Sequence, residues 1–187
     1  WSLNSVGSVL LQQGYPREAE AAYSSALEFS QWQADQMPDD TDLMRDRQVA
    51  YNRVGEVRFT RNDFPGALEA HQKALTLSEA LLAIDPTSYP YRRDYSFTQE
   101  RLGDVMVAMG DKAGAREAFR ISLEVTEALL LDYPGSDEIR RDLSVSYERI
   151  GDTLVADRDY DAGLDEDPSI VPVTEAVLVI DEVTVDA

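Results

Sequence analysis

Asn52-Arg53-Val54-Gly55-Glu56, Glu100-Arg101-Leu102-Gly103-Asp104 and Glu148-Arg149-Ile150-Gly151-Asp152 are three copies of one short pattern, each 48 residues after the last. Gly7 stands a further 48 residues upstream of Gly55. Pro38, Pro86 and Pro134 keep the same spacing, as do Ala19, Ala67 and Ala115. Four positions after those alanines come the bulky residues Tyr23, His71 and Phe119. Self-similarity at one period of this size is the mark of a stacked repeat, so the period decides the fold before any single element is read.

Within each period the local signals predict two helices. Ser88 predicts a cap for a helix entered through Pro90, because proline suits the first turn. That helix should run through Arg101 to about Met109 and stop at Gly110, a residue suited to a left-handed terminus. Asn62 and Gly14 hold the equivalent stop positions, and Asp63 and Asp111 read as caps of the following helix. Leu68, Leu75, Leu81 and Leu82 recur on it at helical spacing. Each helix should reach about 20 residues, roughly 30 Å. The short connections predict antiparallel neighbours.

The pattern resembles the tetratricopeptide repeat, whose unit of about 34 residues reads W-x2-L-G-x2-Y, then A-x3-F, then P. Tyr51, Val54 and Gly55 fill the first part, and Ala67, His71, Ala74 and Pro86 the rest. Tyr147, Ile150 and Gly151 match again, as do Leu102, Gly103, Ala115 and Phe119. The excess length divides into about seven residues before the proline and seven after it. A heptad is nearly two helical turns, so each helix lengthens without rotating its apolar stripe.

The resemblance implies an all-α fold, a right-handed α-solenoid of antiparallel helix pairs with about 3.5 repeats. The expected array covers residues 1–164, in units of about 1–40, 41–88, 89–136 and 137–164, followed by an irregular acidic segment over 165–187. Trp1 aligns with Val49, Phe97 and Val145, so the first helix should lack its opening turns, and the chain reads as a piece of a longer protein. After Asp159 the fourth unit decays: Gly163 replaces the alanine, Asp167 the aromatic, and Pro168 and Pro172 interrupt a long helix. Residues 173–183 can be read as a degenerate helix or as extended, β-branched chain.

Composition narrows the partners. The formal charge is −19, of which −9 falls after Ala156. Such a field repels phosphate backbones and anionic lipid heads, so neither nucleic acid nor membrane is expected to bind. There is no cysteine, which fits a reducing compartment, and a cytoplasmic location is expected. With one histidine and no phosphate-binding or nucleophile-elbow motif, no catalytic site and no cofactor are expected. His71 occupies the slot of Tyr23 and Phe119 and reads as a packed core residue with a bonded nitrogen. The triplets Arg92-Arg93-Asp94 and Arg140-Arg141-Asp142, with Met44-Arg45-Asp46 as a variant, read as inter-helix ion pairs and caps in preference to a basic recognition stripe, because each carries its own Asp. Asp157, Asp159, Asp161 and Asp165 have the alternation of a weak calcium loop, but Pro168 stands where a closing glutamate belongs. A solvated acidic turn is the preferred reading, and no metal is expected.

Tetratricopeptide arrays present their first helices to a concave groove. The resemblance places Asn4, Ser5, Ser8 and Leu11 of the first unit on that face, then Asn52, Arg53, Glu56 and Phe59. Glu100, Arg101, Asp104 and Val107 follow, then Glu148, Arg149, Asp152 and Val155. The acids stand where a chaperone-tail clamp needs lysine and asparagine, so carboxylate binding is excluded. The implied function is a protein-interaction scaffold for a segment carrying Lys or Arg around apolar anchors. The alternative is an intramolecular regulatory arm. Similar long-unit arrays occur in bacterial multidomain signalling and effector proteins, some with caspase-like peptidase or ATPase domains.

Overall fold

A computed structural model describes residues 3–37 and 39–156. Those residues form seven α-helices and no strand: α1 Leu3–Gln12, α2 Pro16–Gln36, α3 Thr41–Thr60, α4 Phe64–Ile84, α5 Tyr89–Met109, α6 Lys112–Asp132 and α7 Asp137–Ala156. All but α1 have 20 or 21 residues, and α1 has 10. Helices α1 to α6 pack as consecutive neighbours, and α3 also touches α5 across one repeat. The result is an all-α stack of the helix pairs α1–α2, α3–α4 and α5–α6, with α7 following them.

The turns have the predicted chemistry. Gly14 and Gly110 have φ of +82°, and Asn62 takes the same left-handed role at +62°. The carboxylate of Asp63 accepts from the Gly66 N–H at 3.1 Å, and that of Asp111 from Gly114 at 2.9 Å. Asp40 accepts from both Asp42 and Leu43 at the start of α3. Ser88 differs from expectation. It occupies the N-cap position of α5, but its side chain makes no capping bond. Asp85 instead ties the linker, accepting from the Thr87 amide at 3.0 Å and the Thr87 hydroxyl at 2.8 Å.

The recurrent residues are the core. Ala19, Ala67 and Ala115 are fully buried, as are Tyr23, His71 and Phe119 within 2%. Each ring lies on the glycine of its own unit's first helix. A Cβ on Gly7, Gly55 or Gly103 would stand 2.4–2.5 Å from the ring of Tyr23, His71 or Phe119. The glycine thus admits the aromatic, which explains why the two recur together. Val54, Val57 and Ala70 extend this core, with Leu10, Leu11 and Leu27 packed against it.

Most of the polar side chains in the core are bonded to one another. The His71 Nδ1–H donates to Asn52 Oδ1 at 2.9 Å, the tautomer that the Asn52 amide requires, because its Nδ2 donates to Thr98 Oγ1 at 2.8 Å. Burial, with repulsion from Arg101 as a smaller cause, holds the His71 imidazole down at about 4. Ser96 links α5 to α6 through Ser122 and Thr126. No described helix is long and apolar enough to cross a membrane.

Candidate interaction surface

The first helices of successive pairs are tied by a ladder of ion pairs at constant offset. Arg45 Nε on α3 donates to Asp94 on α5 at 2.6 Å, and Arg93 Nε on α5 donates to Asp142 on α7 at 2.7 Å. Arg93 also reaches Glu138 at 2.9 Å. Arg93, Asp94 and Asp142 of the Arg-Arg-Asp triplets thus form inter-helix ion pairs. Arg92 adds a bond to Asp132, and Arg140 pairs with Asp137 within its own helix.

A second set of charges lies one to two turns further along the same helices. Arg53 donates to Glu56 at 2.8 Å. Arg101 bridges Glu100 and Asp104, each at 3.2 Å, and its guanidinium lies 4.9 Å from the Phe97 ring centroid. Arg149 on α7 reaches back to Asp104 at 3.3 Å, with Glu100 at 4.0 Å. Burial pushes the carboxyls of Glu100 and Asp104 above their ordinary range, against the pull of Arg101 and Arg149.

The structure distributes the expected groove residues among three roles. Asn52 and Glu100 are buried, and Asn52 spends its amide inside the array. Ser8 bonds the Asn4 carbonyl and the Tyr23 hydroxyl, each at 3.1 Å. Arg53, Glu56, Arg101, Asp104 and Arg149 are partly exposed and ion-paired. Phe59 packs against Phe64 with centroids 5.6 Å apart. Val107 is 51% exposed, and Glu148 and Asp152 are exposed. The side chain of Val155 and residues Asp157, Asp159, Asp161 and Asp165 lie outside the described residues. Among the described residues no group of His or acidic side chains could hold a metal.

One feature was not legible in the repeat pattern. A cleft of about 250 Å³ opens between α3, α5 and α7, lined by Gln48, Val49, Asn52, Arg53, Arg93, Asp94, Ser96, Phe97, Glu100, Asp142 and Ser146. Only Asn52, Arg53 and Glu100 of these are expected groove residues. Arg93, Asp94 and Asp142 fall where the sequence reading puts the added heptads, for which the shorter repeat offers no equivalent. The recurring triplets were the available signal, since they place like charges at one height on successive first helices.

No family model matches the sequence, and no curated protein matches it. Among solved structures, two crystal structures of MamA are similar, each 18% identical. One covers 84% of this chain and 80% of that chain at a TM-score of 0.45, the other 87% and 76% at 0.44. The crystal structure of the Sgt2 TPR domain from Aspergillus fumigatus is 22% identical, covers 92% and 91%, and has a TM-score of 0.38. The all-α fold stands on the helices and their packing.

Proposed function

We propose that the array is a non-catalytic scaffold that binds a segment of a partner protein along the face shared by α1, α3, α5 and α7. The segment carries Lys or Arg around apolar anchors. The observation that supports this reading is that Val107 on α5 and Glu148 and Asp152 on α7 are exposed, and that neither acid has an ion-pair partner among the described residues. Exposed apolar surface and uncompensated acids on the first helices are what such a segment would complement. A partner segment from elsewhere in the same polypeptide would be read by the same chemistry.

Display of random peptides against the full chain tests the reading. Enrichment of sequences with Lys or Arg beside Leu, Val or Phe is expected, with binding lost in Val107→Asp and weakened in Asp152→Lys. Enrichment of acidic sequences, or peptides indifferent to both substitutions, would overturn it.

A further inference from the structure

The cleft between α3, α5 and α7 has a chemistry of its own. At about 250 Å³ it is smaller than the roughly 300–1,000 Å³ of small-molecule pockets, and it suits one long side chain. Gln48 lines it and is 1% exposed. Its Nε2 donates to Thr98 Oγ1 at 3.0 Å. That hydroxyl also accepts from Asn52 and gives its own proton to the Asp94 carbonyl at 2.8 Å. With its proton spent, Thr98 can only accept from Gln48, so the amide nitrogen must face it. The Gln48 Oε1 is left buried without a partner. An unmet buried acceptor destabilises its surroundings, so this one is a standing demand for a donor.

The surroundings say what kind of donor. Asp94, Glu100 and Asp142 share the lining with Arg53 and Arg93. Arg93 is committed to Asp142 and Glu138, Arg53 to Glu56, and Arg45 to Asp94. Glu100 shares Arg101 with Asp104, and Arg149 stands 4.0 Å away. It is the most buried of the three acids, and its shortest ion pair, 3.2 Å, is longer than the 2.6 Å of Asp94 and the 2.7 Å of Asp142. Val49 and Phe97 supply apolar wall. A carboxylate or phosphate entering here would meet three acids and an amide oxygen. An ammonium brings three donors and no acceptor. A guanidinium needs a free carboxylate fork, and Asp94 and Asp142 already hold arginines.

Resting on the reading that the first-helix face binds the partner, we propose that this cleft receives one lysine of the bound segment. Its stem lies along Val49 and Phe97. Its ammonium sits among Glu100, Asp142 and the Gln48 amide oxygen, reached directly or through one bridging water.

Titration of the isotope-labelled full chain with Nα-acetyl-L-lysine N-methylamide tests it, followed by amide NMR. Nα-acetyl-L-norleucine N-methylamide, with a similar stem and no ammonium, is the control. The backbone signals of Val49, Ser96 and Ser146 and the side-chain NH2 of Gln48 should shift saturably with the lysine probe only. Glu100→Gln, which keeps the shape, should weaken that binding about tenfold, the equivalent of one charged hydrogen bond. Gln48→Met should weaken it too, with helicity unchanged. Equal shifts with both probes, no shifts with lysine, or full affinity in both variants would overturn the lysine receptor. Displayed peptides that still bind the face in that event leave the scaffold reading standing. Peptides that ignore the face overturn that reading separately.

Discussion

The ring of Phe119 on α6 rests on Gly103 of α5, so closely that a Cβ on the glycine would stand 2.4 Å from ring carbon Cε1. Gly7 with Tyr23 and Gly55 with His71 repeat the arrangement. Close approach of two helices is thus achieved at the same position in the first three units by deleting a side chain.

Gly103→Ala should therefore destabilise the array by about 1–3 kcal/mol, the usual cost of overpacking a filled core. Gly151 is the useful contrast, since a Cβ there would meet nothing within 4 Å. Gly151→Ala should be neutral or stabilise by up to about 1 kcal/mol through helix propensity. Urea denaturation followed by circular dichroism measures both. Equal losses at the two positions would refute the packing role.

Thr98 accepts from both Gln48 and Asn52, and its removal strands two buried amides. Thr98→Val, which keeps the shape, should cost about 2–4 kcal/mol. Ser146 sits one repeat later and donates to the Asp142 carbonyl, its one side-chain bond among the described residues. Ser146→Ala should cost well under half as much in the same assay.

The pH dependence of stability follows from His71. Its imidazole titrates near 4 in the folded chain and near 6.5 when unfolded, because burial disfavours the cation. Above pH 6.5 both states are neutral. As pH falls from about 6.5 to 4 only the unfolded chain takes the proton, so stability falls, by at most about 3 kcal/mol. Glu100 and Asp104 act in the opposite sense: their raised folded values make the ionised forms costly, a cost relieved on acidification. Melting curves between pH 7 and 4.5 should show a steeper loss in the wild type than in His71→Phe. Parallel curves would contradict the buried neutral histidine.

The Arg45–Asp94 rung is partly exposed, with side chains 41% and 22% accessible. A double-mutant cycle through Arg45→Met and Asp94→Asn should give a coupling of about 0.5–1 kcal/mol that shrinks in molar salt. A coupling indifferent to salt would mean that the ladder acts through packing.

Most of the fold was legible in the sequence because a repeat announces its architecture several times over. The 48-residue spacing of Gly7, Gly55, Gly103 and Gly151, the left-handed stops at Gly14, Asn62 and Gly110, and the Asp63 and Asp111 caps each reappear as structure. What escaped was pairwise. The reason glycine and aromatic recur together is a contact between residues 16 apart on different helices, which no single helix pattern contains. Asn52 looked like a groove residue because the resemblance assigns its position to that face. Its amide is instead consumed by His71 and Thr98, a choice made by neighbours on α4 and α5. The cleft escaped because part of its lining, Arg93, Asp94 and Asp142, falls where the sequence reading puts the added heptads, and a template of shorter units has no positions for those residues.

The claim that the partner lies along the first helices is tested most directly by cross-linking. A peptide enriched by display, carrying a photoreactive benzophenone beside its basic residue, would be irradiated on the full chain and the adducts mapped by mass spectrometry. The account predicts adducts on α3, α5 and α7, concentrated near Val49, Phe97 and Val107, and their loss in Val107→Asp. Adducts on α2, α4 or α6, undiminished by that substitution, would contradict it.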